Sequence, residues 1–134
     1  MTAVRWLLLD VGGVLELVDD AAWPEEFARR WERRLGLEPG DYERRLAAVD
    51  LPDATRTSGV ADSYWRAVAA ALGAGDEDRI AMVADFWDAY CGRRNDLLLD
   101  HLATLRGRVG LAILSNSGDG AREEEERRYA FSQL

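Results

Sequence analysis

The sequence predicts an α/β fold, a parallel sheet interrupted by a large helical insertion, on three observations. Residues 4–9 and 109–114 are short, nearly continuous apolar runs, as strands buried on both faces of a parallel sheet require. Each run ends at polar residues: Asp10 after the first, Ser115-Asn116 after the second. The roughly 90 residues between them carry helical rather than alternating periodicity. A strand–helix–strand crossover needs only about a dozen residues. The surplus helices are therefore expected to form a small cap over the strand ends, spanning residues 16–95, with the sheet domain in 1–15 and 96–134.

The elements follow in order. After the first strand, Gly12-Gly13 break the extended backbone and let it approach a ligand closely. Trp23, Phe27, Trp31 and Leu35 recur every four residues, with Pro24 in the first turn and Gly36 past the end, so a first helix is expected there. A second helix is expected after Pro39, through Tyr42, Leu46 and Val49. The third runs over 60–72 with Gly73 as its stop, and the fourth over 76–91, with Ile80, Val83, Phe86, Trp87 and Tyr90 on one face. Asn95 is placed to cap a fifth helix through Leu98, Leu102 and Leu105. The last segment, 119–131, pairs Glu123 to Glu126 with Arg127-Arg128, which supports a helix with a solvated face.

Composition narrows the function classes. A hydrophobic fraction of 48% with 31% charged residues is globular, and 134 residues suit one domain. The net charge of −8 argues against a nucleic-acid partner, which needs concentrated cations. All 17 cationic residues are Arg, and there is no Lys. No run approaches the roughly 20 apolar residues of a membrane helix, no signal-peptide core is present, and Cys91 has no disulfide partner, so a cytoplasmic protein is expected.

The chemistry converges on the strand tips, because ligands of such sheets bind at the carboxyl ends of the strands. An Asp followed by glycine amides can act as a covalent nucleophile toward a phosphoryl group, through an aspartyl-phosphate. Adjacent amides such as those of Val11 and Gly12 can hold phosphate oxygens, and Mg²⁺ can bridge carboxylate and phosphate. Ser115 and Asn116 offer a hydroxyl and a side-chain amide, with amides of the following helix, to the same anion. Taken singly, Asp10 also fits a strand-end turn and Ser115-Asn116 a helix cap. The aromatic residues read as the core of the helical block, Cys91 as a small packing residue, and His101 as a solvated helix position.

Together, Leu8-Leu9-Asp10-Val11-Gly12-Gly13-Val14-Leu15 and Ala112-Ile113-Leu114-Ser115-Asn116 resemble motifs I and II of the haloacid dehalogenase (HAD) superfamily. The helical insertion between them resembles the cap of the subfamily that includes 2-haloacid dehalogenases and phosphoglycolate phosphatases. The resemblance implies a HAD-like Rossmannoid fold and a Mg²⁺-dependent hydrolase of a small phosphorylated metabolite. It assigns Asp10 as nucleophile and metal ligand, the Gly12 carbonyl as second metal ligand, and Ser115 as phosphate ligand, with Asn116 beside it.

Two features depart from the family pattern. Family phosphatases usually carry a general-acid Asp two positions after the nucleophile, where this chain has Gly12. The family's Lys and downstream acidic pair have no counterpart in the 18 residues after Asn116. Asp19-Asp20 and Asp119 follow no buried strand and are expected in a flap loop and a helix start. Two strands leave unpaired edges, so the chain is expected to be the N-terminal part of a longer hydrolase or to pair with a second copy. Hydrolytic dehalogenation, and a catalytically inert interaction module, stand as alternatives.

Overall fold

The structure, a computed structural model, describes residues 4–134; positions 1–3 of the expected sheet domain lie outside the described residues. The first strand, β1 (Trp6–Leu9), ends at Asp10. A tight turn follows, in which the Val11 carbonyl accepts from the amides of Val14 (3.1 Å) and Glu16 (3.0 Å). Gly13 sits in this turn at φ +73°, a conformation that suits glycine. The chain continues through β2 (Glu16–Leu17) into four helices, α1 (Trp23–Leu35), α2 (Asp41–Ala47), α3 (Ala61–Leu72) and α4 (Asp76–Cys91). It returns through β3 (Arg93–Arg94), α5 (Asp96–Leu105), β4 (Gly110–Ile113), α6 (Ala121–Tyr129) and a closing 3-10 turn, Phe131–Gln133.

The helices stand where local chemistry puts them. α1 has Pro in its first turn, and its C-cap Gly36 is left-handed, so the Gly36 amide reaches back to the carbonyls of the last turn. Asn95 caps α5 by accepting from the Leu98 amide, and its own side-chain amide donates to the Val14 carbonyl at 2.8 Å. α2 stops at Ala47, short of the expected Val49, which is exposed.

β1 and β4 pair in parallel, with Trp6 opposite Gly110 and Leu9 opposite Ile113. This is the α/β fold with a parallel sheet that the sequence predicts. The expected burial of both faces is not observed. Leu7 and Leu9 pack against a cluster containing Val11, Leu15, Leu102 and Phe131. Trp6 and Leu8, pointing the other way, are 65% and 68% exposed. The reason is neighbours: among the described residues β1 has β4 alone beside it, and packed elements cover one face only.

Unexpectedly, β2 and β3 pair antiparallel, Glu16 with Arg94 and Leu17 with Arg93. They clamp the two crossings of the chain into and out of the helical block. Gly92 makes this possible: at φ +56° its missing Cβ would lie 2.3 Å from the Leu17 carbonyl oxygen. A second core fills the helical block, with Phe27, Trp31, Trp65, Val68, Leu72 and Met82 buried. Phe86 is its hub, with ring centroids 4.9 Å from Trp65, 5.4 Å from Trp23 and 5.8 Å from Phe27. None of the helices among the described residues is long and apolar enough to cross a membrane.

Candidate active site

The parallel register brings the two polar strand ends together. The Leu114 amide donates to the Leu9 carbonyl at 2.9 Å, the last rung of the ladder. Asp10 follows on one strand and Ser115-Asn116 on the other. Asp10, Gly12, Ser115 and Asn116 line one cavity of about 540 Å³. Asp10 is exposed, and its Oδ1 accepts from the Val11 amide at 2.8 Å. The Val11 side chain is buried and lines a different cavity, of about 730 Å³, between the sheet and the segment carrying Arg122 and Phe131.

The helix expected over 119–131 is α6, Ala121–Tyr129. Residues 114–118 form an irregular loop before it, so Ser115 and Asn116 meet the cavity ahead of the helix rather than in its first turn. Asp119, two residues ahead of that helix, is turned away from the cavity. Its carboxylate accepts from the amides of Gly59 (3.1 Å), Val60 (2.8 Å) and Ala61 (2.8 Å), capping α3 from a distance in sequence of about 60 residues. Those bonds hold the Asp119 carboxyl below the usual carboxylate range.

Three further acids stand in the cavity wall: Glu16 and Glu125, which the sequence did not single out, and Asp20, expected in a flap loop. Glu16 is 1% exposed, and its Oε1 has no hydrogen-bond partner. Burial, reinforced by the nearby Glu125 and Asp20 and opposed by Arg128, pushes the Glu16 carboxyl up to about 8. Glu125, on α6, is also buried, and desolvation raises its carboxyl. Asp20 accepts at Oδ1 from the Trp23 indole (3.3 Å), while its Oδ2 lies 4.0 Å from where a Cβ on Gly12 would stand. Asp20 thus reaches over the backbone position that lacks a side chain. The signal for Glu16 was legible: an acid inside the apolar run 14–18 is either solvated at an edge or buried for a reason.

Tyr90 and Val18 complete the cavity on the side of the helical block. The Tyr90 hydroxyl is pushed up to about 12, chiefly by burial, and stays protonated. No Arg lines this cavity among the described residues; Arg56 pairs with Asp53 and Arg94 with Asp96, and Arg93 is exposed. His101 is exposed and Cys91 fully buried, as their sequence contexts imply.

The donor set permits a hard cation of one particular kind. No group of three or more His, Cys, Asp or Glu is placed to hold a metal among the described residues. Mg²⁺ does not require one, since it keeps several waters and binds through one or two carboxylates plus substrate phosphate. The exposed Asp10 carboxylate, with the backbone of Gly12 beside it, fits that mode.

A solved structure has the same architecture. It is a HAD family enzyme from Bacteroides thetaiotaomicron, determined in complex with magnesium and inorganic phosphate. The match has a TM-score of 0.57 at 18% identity and covers 93% of this chain and 59% of that chain. The chain therefore has a HAD-like fold, and it spans about three-fifths of the length of that enzyme. No family model and no curated protein matches the sequence.

Proposed function

We propose that the protein is a HAD-like, magnesium-dependent phosphatase of a small phosphorylated metabolite, with Asp10 as nucleophile. The observation that carries this reading is the meeting of Asp10 with Ser115 and Asn116 at the carboxyl ends of two paired parallel strands, around one cavity. The magnesium and phosphate held by the structural neighbour agree with that chemistry.

In this reading one Asp10 oxygen attacks phosphorus as the ester oxygen departs, and water later hydrolyses the acyl phosphate. Ser115 and Asn116 hold non-bridging phosphate oxygens through hydroxyl and amide. Mg²⁺ would be held by the Asp10 carboxylate and the Gly12 carbonyl, and would offset the charge of the phosphoryl group. The helical block, residues 16–95, acts as a cap whose Val18 and Tyr90 face the substrate. A second reading, displacement of halide from a small acid, is favoured by Gly12, since a halide leaves without a proton.

Hydrolysis of an aryl phosphate, with and without Mg²⁺, tests the assignment against 2-chloropropionate as the competing substrate. Phosphate release that requires Mg²⁺ and Asp10 supports the phosphatase. Chloride release alone supports the dehalogenase, and inertness toward both leaves an interaction module.

A further inference from the structure

The Asp10 cavity holds three acids that the proposed phosphoryl chemistry does not use: Glu16 from β2, Asp20 from the loop after it, and Glu125 from α6. Glu16 is the most constrained. Its backbone lies in the β2–β3 clamp opposite Arg94, and its amide donates to the Val11 carbonyl at 3.0 Å. The strand thereby directs the side chain inward, where the residue is only 1% exposed. Its Oε1 is buried without a hydrogen-bond partner, in the wall of the cavity. Buried polar atoms are almost always paired, so an orphan facing a cavity marks a place that a ligand completes.

The electrostatics say which kind of ligand. Burial, with Glu125 and Asp20 nearby, opposes ionisation of Glu16. Arg128, which acts the other way, is already shared between Glu124 and Asp88, at 2.7 Å from each. A primary ammonium brings one positive charge and three N–H donors, so it pairs the orphaned oxygen and relieves the repulsion together. A hydroxyl brings one donor and no charge, and a carboxylate adds another like charge. A metal ion fits this wall less well, since no three acids among the described residues converge closely enough to hold one. Val18 and Tyr90, in the same cavity, offer surface to a short carbon chain.

Given the phosphatase reading, on which this inference rests, we infer that the substrate is the phosphate ester of a small amino alcohol. Its ammonium group is received at Glu16, beside Glu125 and Asp20, while Ser115 and Asn116 hold its phosphate. The acids thus set specificity for the leaving group, and the strand tips carry the reaction. Phosphate esters whose leaving group bears a carboxylate are disfavoured by the same wall.

Phosphate release from 2-aminoethyl phosphate, 2-hydroxyethyl phosphate and phosphoglycolate, with Mg²⁺ at pH 7, tests this against an aryl phosphate as reference. The wild type is expected to favour the amino over the hydroxy ester by about tenfold or more in kcat/KM, with phosphoglycolate slowest. Glu16→Gln keeps the shape of the neutral carboxyl but cannot ionise toward a cation, so the preference should fall several-fold. Glu125→Gln should lower it too, and serves if Glu16→Gln fails to fold. The ratio of two substrates on one sample does not depend on how much of the protein is active. Hydrolysis of the aryl phosphate without preference for the amino ester overturns the inference and leaves the phosphatase reading standing. So does a preference that both substitutions leave intact. Inertness toward every ester, the aryl phosphate included, overturns the phosphatase reading and this inference with it.

Discussion

The Leu114 amide donates to the Leu9 carbonyl at 2.9 Å, and this rung is the last hydrogen bond of the ladder before the candidate site. Beyond it the two strands part, Asp10 on one and Ser115 on the other, so the separation of the proposed nucleophile from the Ser115 hydroxyl is set by sheet register. A one-residue slip would turn every side chain of β1 to the opposite face. The alternation in β1, with Leu7 and Leu9 inward and Trp6 and Leu8 outward, opposes such a slip.

Glu16 makes stability depend on pH in a direction opposite to an ordinary carboxylate. Its folded pKa of about 8 exceeds the model-peptide value of 4.5, so the native state binds the proton more tightly than the unfolded chain. The stability that the neutral carboxyl contributes is full below pH 4.5 and is lost progressively as pH rises through about 8. Thermal unfolding in magnesium-free buffer should show a fall of a few kcal/mol across that window. Glu16→Gln, a permanently neutral analogue, should flatten it. A wild type equally stable at pH 5 and pH 8 would refute the burial argument.

Gly92 is expected to tolerate no side chain. Its φ of +56° is strained for an L-residue, and a Cβ would meet backbone rather than a yielding side chain, 2.3 Å from the Leu17 oxygen. Gly92→Ala should cost about 2–4 kcal/mol by urea denaturation and loosen the β2–β3 clamp. Gly36→Ala, left-handed but with open space around it, should cost less. Equal losses at the two positions would show that the clash with Leu17 is relieved by small shifts.

Asp119 ties the loop after β4 to the start of α3. Because its folded carboxyl lies below the usual range, its contribution is present above the unfolded value and lost as pH falls through the folded one, below about pH 4. Asp119→Ala is therefore expected to lower Tm at neutral pH, with the gap to wild type closing in acid. If the gap persists in acid, something other than the ionised cap carries the effect.

Much of the fold was legible because it is local. Pro24 and Gly36 bracket α1, Asn95 caps α5, and the apolar spacing of 76–91 is that of α4, which spans those very residues. What escaped depends on distant partners. β2 and β3 are two-residue strands that exist only because they pair with each other across the whole helical block. The outward exposure of Trp6 and Leu8 was hidden because a continuous apolar run implies two covered faces, whereas packing here covers one. At the site, the strand-tip residues Asp10, Ser115 and Asn116 were visible in the sequence as ends of apolar runs. Glu16, Asp20 and Glu125 reach the same cavity from β2, a loop and α6, a convergence that no spacing reveals.

The central claim is that Asp10 is a nucleophile in a phosphate site, and single-turnover trapping measures it most directly. The protein is mixed with an aryl phosphate and Mg²⁺, quenched in acid and digested, and the peptide mass around Asp10 is read. The account predicts a phosphate adduct on Asp10 that is absent in Asp10→Asn and without Mg²⁺. Substrate turnover undiminished in Asp10→Asn would contradict it.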